Sequence, residues 1–588
     1  MARMERMTSS AALDGLTAEY WETYLEANPI NATAIGDPRF DDRLADHTPA
    51  GTAATIARFE ALLARADALD PARETAADRT TLSALRGSLA ADIAELRTGL
   101  LEWNISPLEG APVDFLTIPD YQRLETPEDG ERMVARWQAM GRSTDQQLDT
   151  LRASLAEGRV ASVSPVRRTI TVLEEVLDAP IERWPLLDPL TGLEELEGWS
   201  AEERTRFATG LRGAVEDTIR PALIRLHDAL VLEILPASRP DGEPGMCAVA
   251  GGDEGYHHLI RMHTSLDVDA AQLHRTGHEE IDRIDRELVE LAGRTLGVSS
   301  LGLALSALRA DPSLFFATRR EVFEKATASL RRAGEVAPQW FGRLPLASCV
   351  ILEMPAHEEE HVGAAYYRPS AEDGSRPGQL VLNTSNPHDR PRYEAEALAY
   401  HEAVPGHHLQ GALSQELRGL PDFRRHLGPT AYFEGWGLYA ERLADEMGLY
   451  SGDLDRLGML SFDAWRAARL VVDTGIHAMG WSRQQAIDYM LAHTALSSRT
   501  VADEVDRYIA LPGQALAYKT GQLELLRIRE EAQHRMGAAF DIRGFHDAIL
   551  SDGALPLPTL AEVVYAWADD AVARTGPYAI DERIAAAS

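Results

Sequence analysis

Apolar residues recur at steps of three and four along most of this 588-residue chain, which is the spacing of one face of an α-helix. The pattern is clearest in the segments 53–69, 75–100, 131–157, 204–232 and 266–293. Good helix formers are abundant in these segments, and short Pro/Gly-rich stretches separate them. Hydrophobic residues make up 45% of the chain and charged residues 26%, as in globular proteins. The sequence therefore predicts a mainly α-helical globular protein.

One region interrupts the helical pattern. Residues 346–354, 362–368 and 379–384 are short apolar runs that predict strands, and a turn-rich segment joins the last two. We expect them to form a small antiparallel sheet, after which helical patterning resumes.

The predicted architecture is two helical lobes around a deep cleft. An N-terminal helical region would span residues 1–245 and a second region residues 246–588. Within the second region, the sheet at about 346–384 would lie next to helices in 392–446.

Charge excludes two classes of partner. The chain has 92 acidic and 58 basic residues, a formal net charge of -34. Nucleic acids and anionic membranes attract basic surfaces, so we expect neither as a partner.

The N-terminal segment has no apolar h-region, and no long apolar run follows. These features predict neither a signal peptide nor a membrane span, and hence a cytoplasmic location.

A histidine–glutamate pair followed by two further histidines indicates a metal site. The pair is His401-Glu402, and His407 and His408 follow it. Zinc hydrolases bind the metal through side chains such as two imidazoles and a carboxylate, and they leave one position for water. The metal lowers the pKa of that water, and a carboxylate beside the first histidine acts as the general base. Glu402 occupies the position of this base.

The histidine spacing differs from the common His-Glu-x-x-His pattern, in which the two histidines share one helix face. Here the second histidine lies six or seven positions after His401. Seven residues of regular helix rise about 10.5 Å, whereas zinc requires nitrogen ligands within roughly 4 Å of each other. Pro405 removes a backbone donor and Gly406 permits unusual backbone angles. We therefore expect an interrupted helix that returns a later histidine to the metal.

The third ligand is expected from the helical segment 430–447. Glu434 lies in its first turn. Glu441 follows seven residues later and shares the same helix face. Both carboxylates are suitable ligands, and the residues alone leave the choice open.

Three motifs together resemble a known family. YHEAVPGHHLQ, FEGWGLYAERL and YIALPGQALAYKTGQLELLRIREEA are similar to the bacterial "domain of unknown function 885" family, over roughly residues 250–575, with a looser helical match at the N-terminus. This family looks like a relative of the gluzincin zinc peptidases. The resemblance implies a zincin-like catalytic region over residues 246–588, with metal-site helices in 392–446.

The resemblance implies one zinc ion bound by His401, by either His407 or His408, and by Glu434. It also implies that Glu402 is the general base. Some gluzincins carry Gly-His at the second ligand, which favours His407.

Further residues are candidates for contacting a substrate. Tyr518 lies early in a helix that follows Pro512-Gly513, and it is the candidate donor to an oxyanion. Arg507 or Lys519 is a candidate to hold a substrate carboxylate. Core packing of the tyrosine and surface ion pairs of the two cations are the alternatives.

Other polar segments have both a functional and a structural interpretation. Asp473 and His477 are four apart in an apolar helix and predict a hydrogen-bonded pair, in the core or facing a ligand. Tyr366 lies in a predicted strand that either pairs with an extended substrate or belongs to a plain sheet. HEEEH at 357–361 matches the short zinc pattern, but we interpret it as an acidic loop. The histidines of 255–263 lack metal-ligand spacing.

The predicted reaction is zinc-dependent hydrolysis of a peptide or related amide bond. An enclosed cleft would limit substrates to short peptides or amino-acid conjugates, as in carboxypeptidases and dipeptidases. Two alternatives remain: a metal enzyme acting on a non-peptide amide, and an inert binding protein.

Overall fold

The computed structural model describes residues 11–355, 359, 363–371, 374 and 376–586, with side chains up to residue 574. Within these residues the protein is mainly α-helical and has one small sheet, which confirms the prediction of a mainly helical protein with a small sheet. Each segment with clear helical periodicity coincides with one or more helices along most of its length.

Short loops and 3-10 turns connect the helices of the N-terminal part. These helices are α1 (Ala11–Ala27), α2 (Pro29–Ala34), α3 (Pro49–Asp67), α4 (Ala76–Arg97), α5 (Leu100–Trp103), α6 (Val113–Thr117), α7 (Pro127–Ala156), α8 (Val163–Asp178), α9 (Ala201–Gly213), α10 (Arg220–Ala229) and α11 (Leu235–Ala237). Two π-helical segments, Ala214–Ile219 and Leu230–Ile234, join α9, α10 and α11 into one continuous helix. Thr126 and Ser200 start α7 and α9 with capping boxes, which satisfy free backbone N–H groups.

The C-terminal part contains the sheet and the longest buried helix. Its helices are α12 (Gly252–Thr264), α13 (Ala270–Leu296), α14 (Leu301–Ala310), α15 (Arg319–Val336), α16 (Ala395–Glu402), α17 (His407–Gln415), α18 (Asp422–His426), α19 (Thr430–Glu446), α20 (Asp453–Met479), α21 (Arg483–His493), α22 (Ser498–Ala510), α23 (Ala517–Met536), α24 (Ile542–Leu550) and α25 (Leu557–Ala586). Helix α20 is buried on nearly every face, as expected of a helix inside a large core.

No single helix among the described residues has both the length and the apolar composition of a membrane span. Helices α13 and α14 meet these criteria only as a pair, and the pair is bent by 59°.

The sheet has three strands, β1 (Cys349–Glu353), β2 (Ala365–Arg368) and β3 (Gly378–Leu382). The three predicted strands are present, but the prediction of a purely antiparallel sheet is wrong. The strand order is β1-β3-β2, with β3 parallel to β1 and antiparallel to β2. The chain reverses twice, and β3 then enters between the first two strands in the direction of β1.

Helices from both ends of the chain build one hydrophobic core. Tyr20 of α1 and Phe59 of α3 pack with side chains of α17, α19 and α23 to α25. The Tyr20 ring meets Phe423 edge-on, with ring centroids 5.4 Å apart. This core therefore combines helices from both sides of the predicted division at residue 245.

Helix α16 lies between two cores. Its Tyr400 belongs to the core just described, whereas its Ala397 belongs to a second core with α13, α14, α20, α21 and α22. Because it is packed on both sides, the segment that carries His401 has little freedom to shift.

Candidate metal centre

The predicted interruption of the metal-site helix is present. Residues 403–406 separate α16 from α17. A side chain at Gly406 would overlap the backbone carbonyl oxygen of His401, so the close return of the chain requires glycine. Trp436 of α19 donates its indole N–H to the carbonyl oxygen of Pro405, at 2.9 Å. The interruption is therefore held against α19.

This arrangement brings together three side chains that could hold a metal ion, and they form the candidate metal cluster. One ligand atom each of His401, His407 and Glu434 lies within 4.8 Å of the other two. The Nε2 atoms of His401 and His407 lie 3.7 and 3.5 Å from Oε2 of Glu434. A tetrahedral zinc ion with bonds of about 2.0–2.1 Å separates its ligand atoms by about 3.3 Å. The donors and their spacing fit one divalent ion, and the described residues contain no second group of this kind.

Gly437 provides the space for the two imidazole rings. It lies on α19 one turn after Glu434. A Cβ atom at this position would lie 2.7 Å from Cε1 of His401 and 3.0 Å from Cε1 of His407. Both distances are shorter than an ordinary carbon–carbon contact of about 3.5–4.0 Å. A side chain here would displace the rings.

Burial and charge act in opposite directions within the cluster. Burial raises the pKa of Glu434, but the imidazoles of His401 and His407 outweigh it and hold the pKa well below 4.5. Burial lowers the pKa of His401, but hydrogen bonds to Glu434 and Glu441 outweigh it and raise the pKa to about 9. Glu434 is therefore ionised at neutral pH, as a metal ligand must be.

Glu441 lies behind His401 and not beside Glu434. Its Oε1 is 2.8 Å from Nδ1 of His401. A carboxylate at Nδ1 fixes the orientation of an imidazole and leaves Nε2 for a metal. The structure thus separates the two carboxylates between which the sequence left the choice: Glu434 faces both imidazoles, and Glu441 positions one of them.

His408 points away from the cluster. Its Nδ1 lies 3.1 Å from the hydroxyl of Tyr367 and its Nε2 3.1 Å from the carbonyl oxygen of Ala347. Burial lowers its pKa to about 4. Consecutive helical residues project about 100° apart, so two adjacent histidines cannot both face one ion. His408 as the alternative second ligand is therefore wrong, and His407 is the histidine that lies with His401.

Glu402, the predicted general base, ends α16 directly after His401 and is partly exposed. Its carboxylate contributes to raising the pKa of His401. A partly exposed carboxylate beside a buried cluster can exchange protons with a water molecule.

Tyr518 and Arg507 lie in a cluster of arginines and tyrosines where α20, α22 and α23 meet. The guanidinium of Arg469 stacks on the Tyr518 ring, with Cζ 4.3 Å from the ring centroid. Arg507 contacts Glu504 at 3.0 Å and donates to the side chain of Gln514 at 2.9 Å. The structure therefore brings these two predicted residues together.

Two other predicted substrate-binding residues are buried in the core. Lys519 is 0% exposed, and its ammonium is paired with Asp463. His477 accepts a hydrogen bond at Nδ1 from the backbone N–H of Met246, and its Nε2 lies 2.9 Å from the carbonyl oxygen of Tyr508. Their polar atoms are used within the protein, which corrects the prediction that they bind substrate.

The predicted hydrogen bond between Asp473 and His477 does not form. Asp473 accepts hydrogen bonds from the Tyr256 hydroxyl and from the backbone N–H of Gly513. Burial raises the pKa of Asp473 to about 7 and lowers that of His477 to about 3. Both are core residues with separate partners.

Tyr366 lies on β2, an edge strand of the sheet, where its hydroxyl accepts a hydrogen bond from Arg368. Edge strands offer backbone groups for pairing, and pairing with a substrate stays a prediction. HEEEH at 357–361 lies outside the described residues, except for Glu359. The histidines of 255–263 belong to α12.

Two buried arginines of α20 were missed by the sequence reasoning. Arg466 and Arg469 are 5% and 3% exposed. They lie in the segment DAWRAARLVVDTG, where apolar residues surround both. Because arginine is rarely buried without a partner, two arginines three positions apart in an apolar helix were an available signal.

Comparison with known proteins identifies relatives by fold. Among curated proteins, none matches this chain. A "putative lipoprotein" from Colwellia psychrerythraea has a solved structure with a TM-score of 0.87 and 25% identity, covering 95% of this chain and 99% of that one. A "putative lipoprotein of unknown function" from Shewanella oneidensis gives a TM-score of 0.74 and 18% identity, with coverages of 95% and 100%. These two share the fold of this chain.

A third structure is much less similar. It is a "putative oligoendopeptidase F" from Bacillus anthracis, with a TM-score of 0.30 and 13% identity, covering 88% of this chain and 97% of that one. A similarity this low carries no argument about function.

The prediction of a cytoplasmic location is wrong by this comparison. Both structures with high similarity are described as lipoproteins. For these two relatives that description indicates attachment to a membrane, since lipid attachment anchors proteins to membranes.

A family model provides the assignment. The model described as "Bacterial protein of unknown function (DUF885)" matches residues 29–564. The match includes the metal cluster and also most of the N-terminal helices, so it is longer than the region of the three sequence motifs. The chain therefore belongs to the DUF885 family of bacterial proteins of unknown function.

Proposed function

We propose that this protein is a zinc-dependent hydrolase that cleaves peptide or related amide bonds in short substrates. The convergence of His401, His407 and Glu434 is the observation that carries the proposal. Three protein ligands leave one position of a tetrahedral ion open, which is typical of catalytic zinc sites and not of structural ones. Zinc bound there would polarise a carbonyl group and acidify a water molecule.

Glu402 is the proposed general base. Its position next to His401 lets it take a proton from the attacking water and pass it to the leaving amine. Glu441 keeps the His401 ring in orientation through the 2.8 Å contact at Nδ1. Tyr518 is the proposed donor to the oxyanion.

Burial of the cluster supports a short substrate. The side chains of His401, His407 and Glu434 are 3%, 18% and 22% exposed. The end of an extended peptide or a small amide reaches such a depth more readily than a loop of a folded protein.

The test combines metal analysis with hydrolysis of a panel of short peptides. The Glu402→Gln variant is expected to retain about one zinc ion per chain and to lose roughly 10²- to 10⁴-fold in kcat/KM, the range for loss of a general base. The His407→Ala variant is expected to lose zinc. His258→Ala is the matched control, because His258 is a partly exposed histidine of α12 outside the cluster.

Two results would contradict the proposal. One is a purified protein without stoichiometric zinc after zinc loading. The other is a Glu402→Gln variant that hydrolyses peptides as fast as the unmodified protein. Zinc binding without turnover of any peptide would direct the search to non-peptide amides.

A further inference from the structure

Arg466 is a buried cation with few partners. Its side chain projects from α20 and the residue is 5% exposed. Its Nε and Nη1 atoms are buried and have no hydrogen-bond partner among the described residues. Its Nη2 lies 3.9 Å from Oε1 of Glu441, which is beyond hydrogen-bond distance. Glu441 in turn contacts His401, so Arg466 lies directly behind the metal cluster.

Arg469, one turn further along α20, also lacks a hydrogen-bond partner for one of its guanidinium nitrogens. Its Nε donates to the Tyr508 hydroxyl and its Nη2 to Glu504, both at 2.9 Å. Its Nη1 is buried without a partner in the described part of the chain. Glu504 also pairs with Arg507 at 3.0 Å, so two guanidinium groups share one carboxylate.

Aromatic rings connect these arginines to Tyr518. The Cζ atoms of Arg466 and Arg469 lie 4.2 and 4.4 Å from the ring centroid of Trp465. The Cζ atom of Arg469 is also 4.3 Å from the ring centroid of Tyr518. Stacking on rings leaves the edge of a guanidinium free to donate hydrogen bonds. A continuous row of stacked groups thus runs from behind the metal cluster to the proposed oxyanion donor.

The acidic neighbours Glu441 and Glu394 do not accept hydrogen bonds from the buried Nε and Nη1 atoms of Arg466. Glu441 is engaged by Nδ1 of His401 at 2.8 Å. Glu394 is hydrogen-bonded by Ser461 at 3.0 Å, and burial raises its pKa to about 7. Burying a guanidinium without a full ion partner is costly. Oε2 of Glu441 is also buried without a hydrogen-bond partner among the described residues, so neither carboxylate is hydrogen-bonded to the unpartnered guanidinium donors of Arg466.

We propose that Arg466, together with Arg469, binds the free C-terminal carboxylate of a short peptide, which makes the substrate class peptides cleaved at their C-terminal end. This inference rests on the proposed hydrolase function. Guanidinium groups bind carboxylates through charge-assisted hydrogen bonds. Arg469 stacks on Tyr518, the proposed oxyanion donor, at 4.3 Å, so a carboxylate bound by the two arginines would lie beside a group that contacts the bond to be cleaved. The role that the sequence suggested for Arg507 thus passes mainly to the two arginines of α20.

The kinetic test uses two substrates that differ only in their C-terminal group. One is a blocked dipeptide with a free carboxylate, and the other is its C-terminal amide. The unmodified protein is expected to prefer the acid. In the Arg466→Gln variant, kcat/KM for the acid should fall roughly 10- to 100-fold more than kcat/KM for the amide, the effect of one charged hydrogen bond, with zinc still bound.

Arg456→Gln is the matched control. Arg456 lies on the same helix, is 41% exposed in its side chain and pairs with Asp445. This variant should keep the preference for the acid. A preference that survives in Arg466→Gln, or an equal loss on both substrates, would overturn the proposal.

A binding measurement separates this inference from the proposed function. Calorimetric titration with N-acetyl-leucine and with its amide needs no turnover. Tighter binding of the acid that disappears in Arg466→Gln supports the carboxylate site even if no peptide is hydrolysed, and in that case only the hydrolase proposal fails. Chloride tests whether an inorganic anion acts at the same site. If chloride raises the rate of hydrolysis of both substrates equally, and this effect is lost in Arg466→Gln, the site binds an inorganic anion and the inference is overturned.

Discussion

At the scale of single residues, the candidate metal cluster depends on the absence of a side chain at Gly437 as well as on the three ligand residues. The rings of His401 and His407 occupy the volume that a side chain at Gly437 would fill. Neither ring can retreat far, because His401 is buried and held by Glu441 at Nδ1. Close packing of this kind transmits a displacement of one group directly to its neighbours.

Gly437→Ala is therefore expected to weaken zinc binding without unfolding the protein. The added methyl group displaces the two rings, and we expect zinc affinity to fall by about 10- to 100-fold, as when the groups that orient metal ligands are altered. Competition with a chromophoric chelator measures this. Gly302→Ala is the control, since a Cβ at this glycine of α14 meets open space. Equal zinc affinity in both variants would contradict the prediction.

Asp473 predicts a pH dependence of stability. Burial raises its pKa from 3.8 to about 7, so the folded state holds a proton that the unfolded state has released between these values. This bound proton contributes fully to the free energy of unfolding below about pH 4, and the contribution is lost as the pH rises toward 7. Asn is neutral throughout, so the melting temperature of Asp473→Asn should rise relative to the unmodified protein between pH 4 and 8.

Thermal unfolding at a series of pH values provides the measurement. Asp488→Asn, at an exposed position of α21, should follow the profile of the unmodified protein. Parallel profiles for Asp473→Asn and the unmodified protein would show that Asp473 does not bind a proton in the folded state.

At the scale of elements, the site depends on how α19 crosses α23. The two helices meet at Gly435 and Gly521, where a Cβ on Gly521 would lie 2.7 Å from the Cα of Gly435 and would overlap the carbonyl oxygen of Ala431. Glu434 lies next to this crossing. The approach of the two backbones thus sets the position of the carboxylate.

Gly521→Ala should affect both stability and metal binding. Overpacking at the crossing is expected to lower the free energy of unfolding by about 1–3 kcal/mol, and the shift of α19 should reduce zinc affinity through Glu434. Denaturant unfolding and zinc titration measure the two effects. Gly334→Ala in α15, where a Cβ meets open space, should be neutral or slightly stabilising. A Gly521→Ala variant that is destabilised but keeps its zinc affinity would show that the helix crossing does not set the position of Glu434.

At the scale of the whole molecule, the N-terminal helices belong to the core that supports the metal cluster. Tyr20 and Phe59 pack with side chains of α19 and its neighbours. Removing these helices exposes a large apolar surface, since the same core contains residues of α23, α24 and α25.

A chain cut to residues 246–588 is therefore expected to lose its cooperative thermal transition. Circular dichroism melting in the presence of zinc compares it with the full chain. Tyr20→Ala in the full chain should destabilise the shared core less severely. We expect its free energy of unfolding to fall by about 3–5 kcal/mol, as for a large aromatic core residue. A fragment that melts cooperatively and binds one zinc ion would show that the C-terminal part folds by itself.

Local patterns in the sequence determined the helical class, the three strands and the interrupted motif around His401. Periodicity, Pro405-Gly406 and adjacent residue types act over a few positions, so they can be interpreted before the chain is folded. Only the tertiary structure decided that His407 and not His408 joins the cluster, that Glu441 supports His401, and that Lys519 is paired with Asp463. It also decided the direction of β3. These outcomes depend on which groups distant in sequence become neighbours, because a buried polar atom takes the partner that packing brings to it.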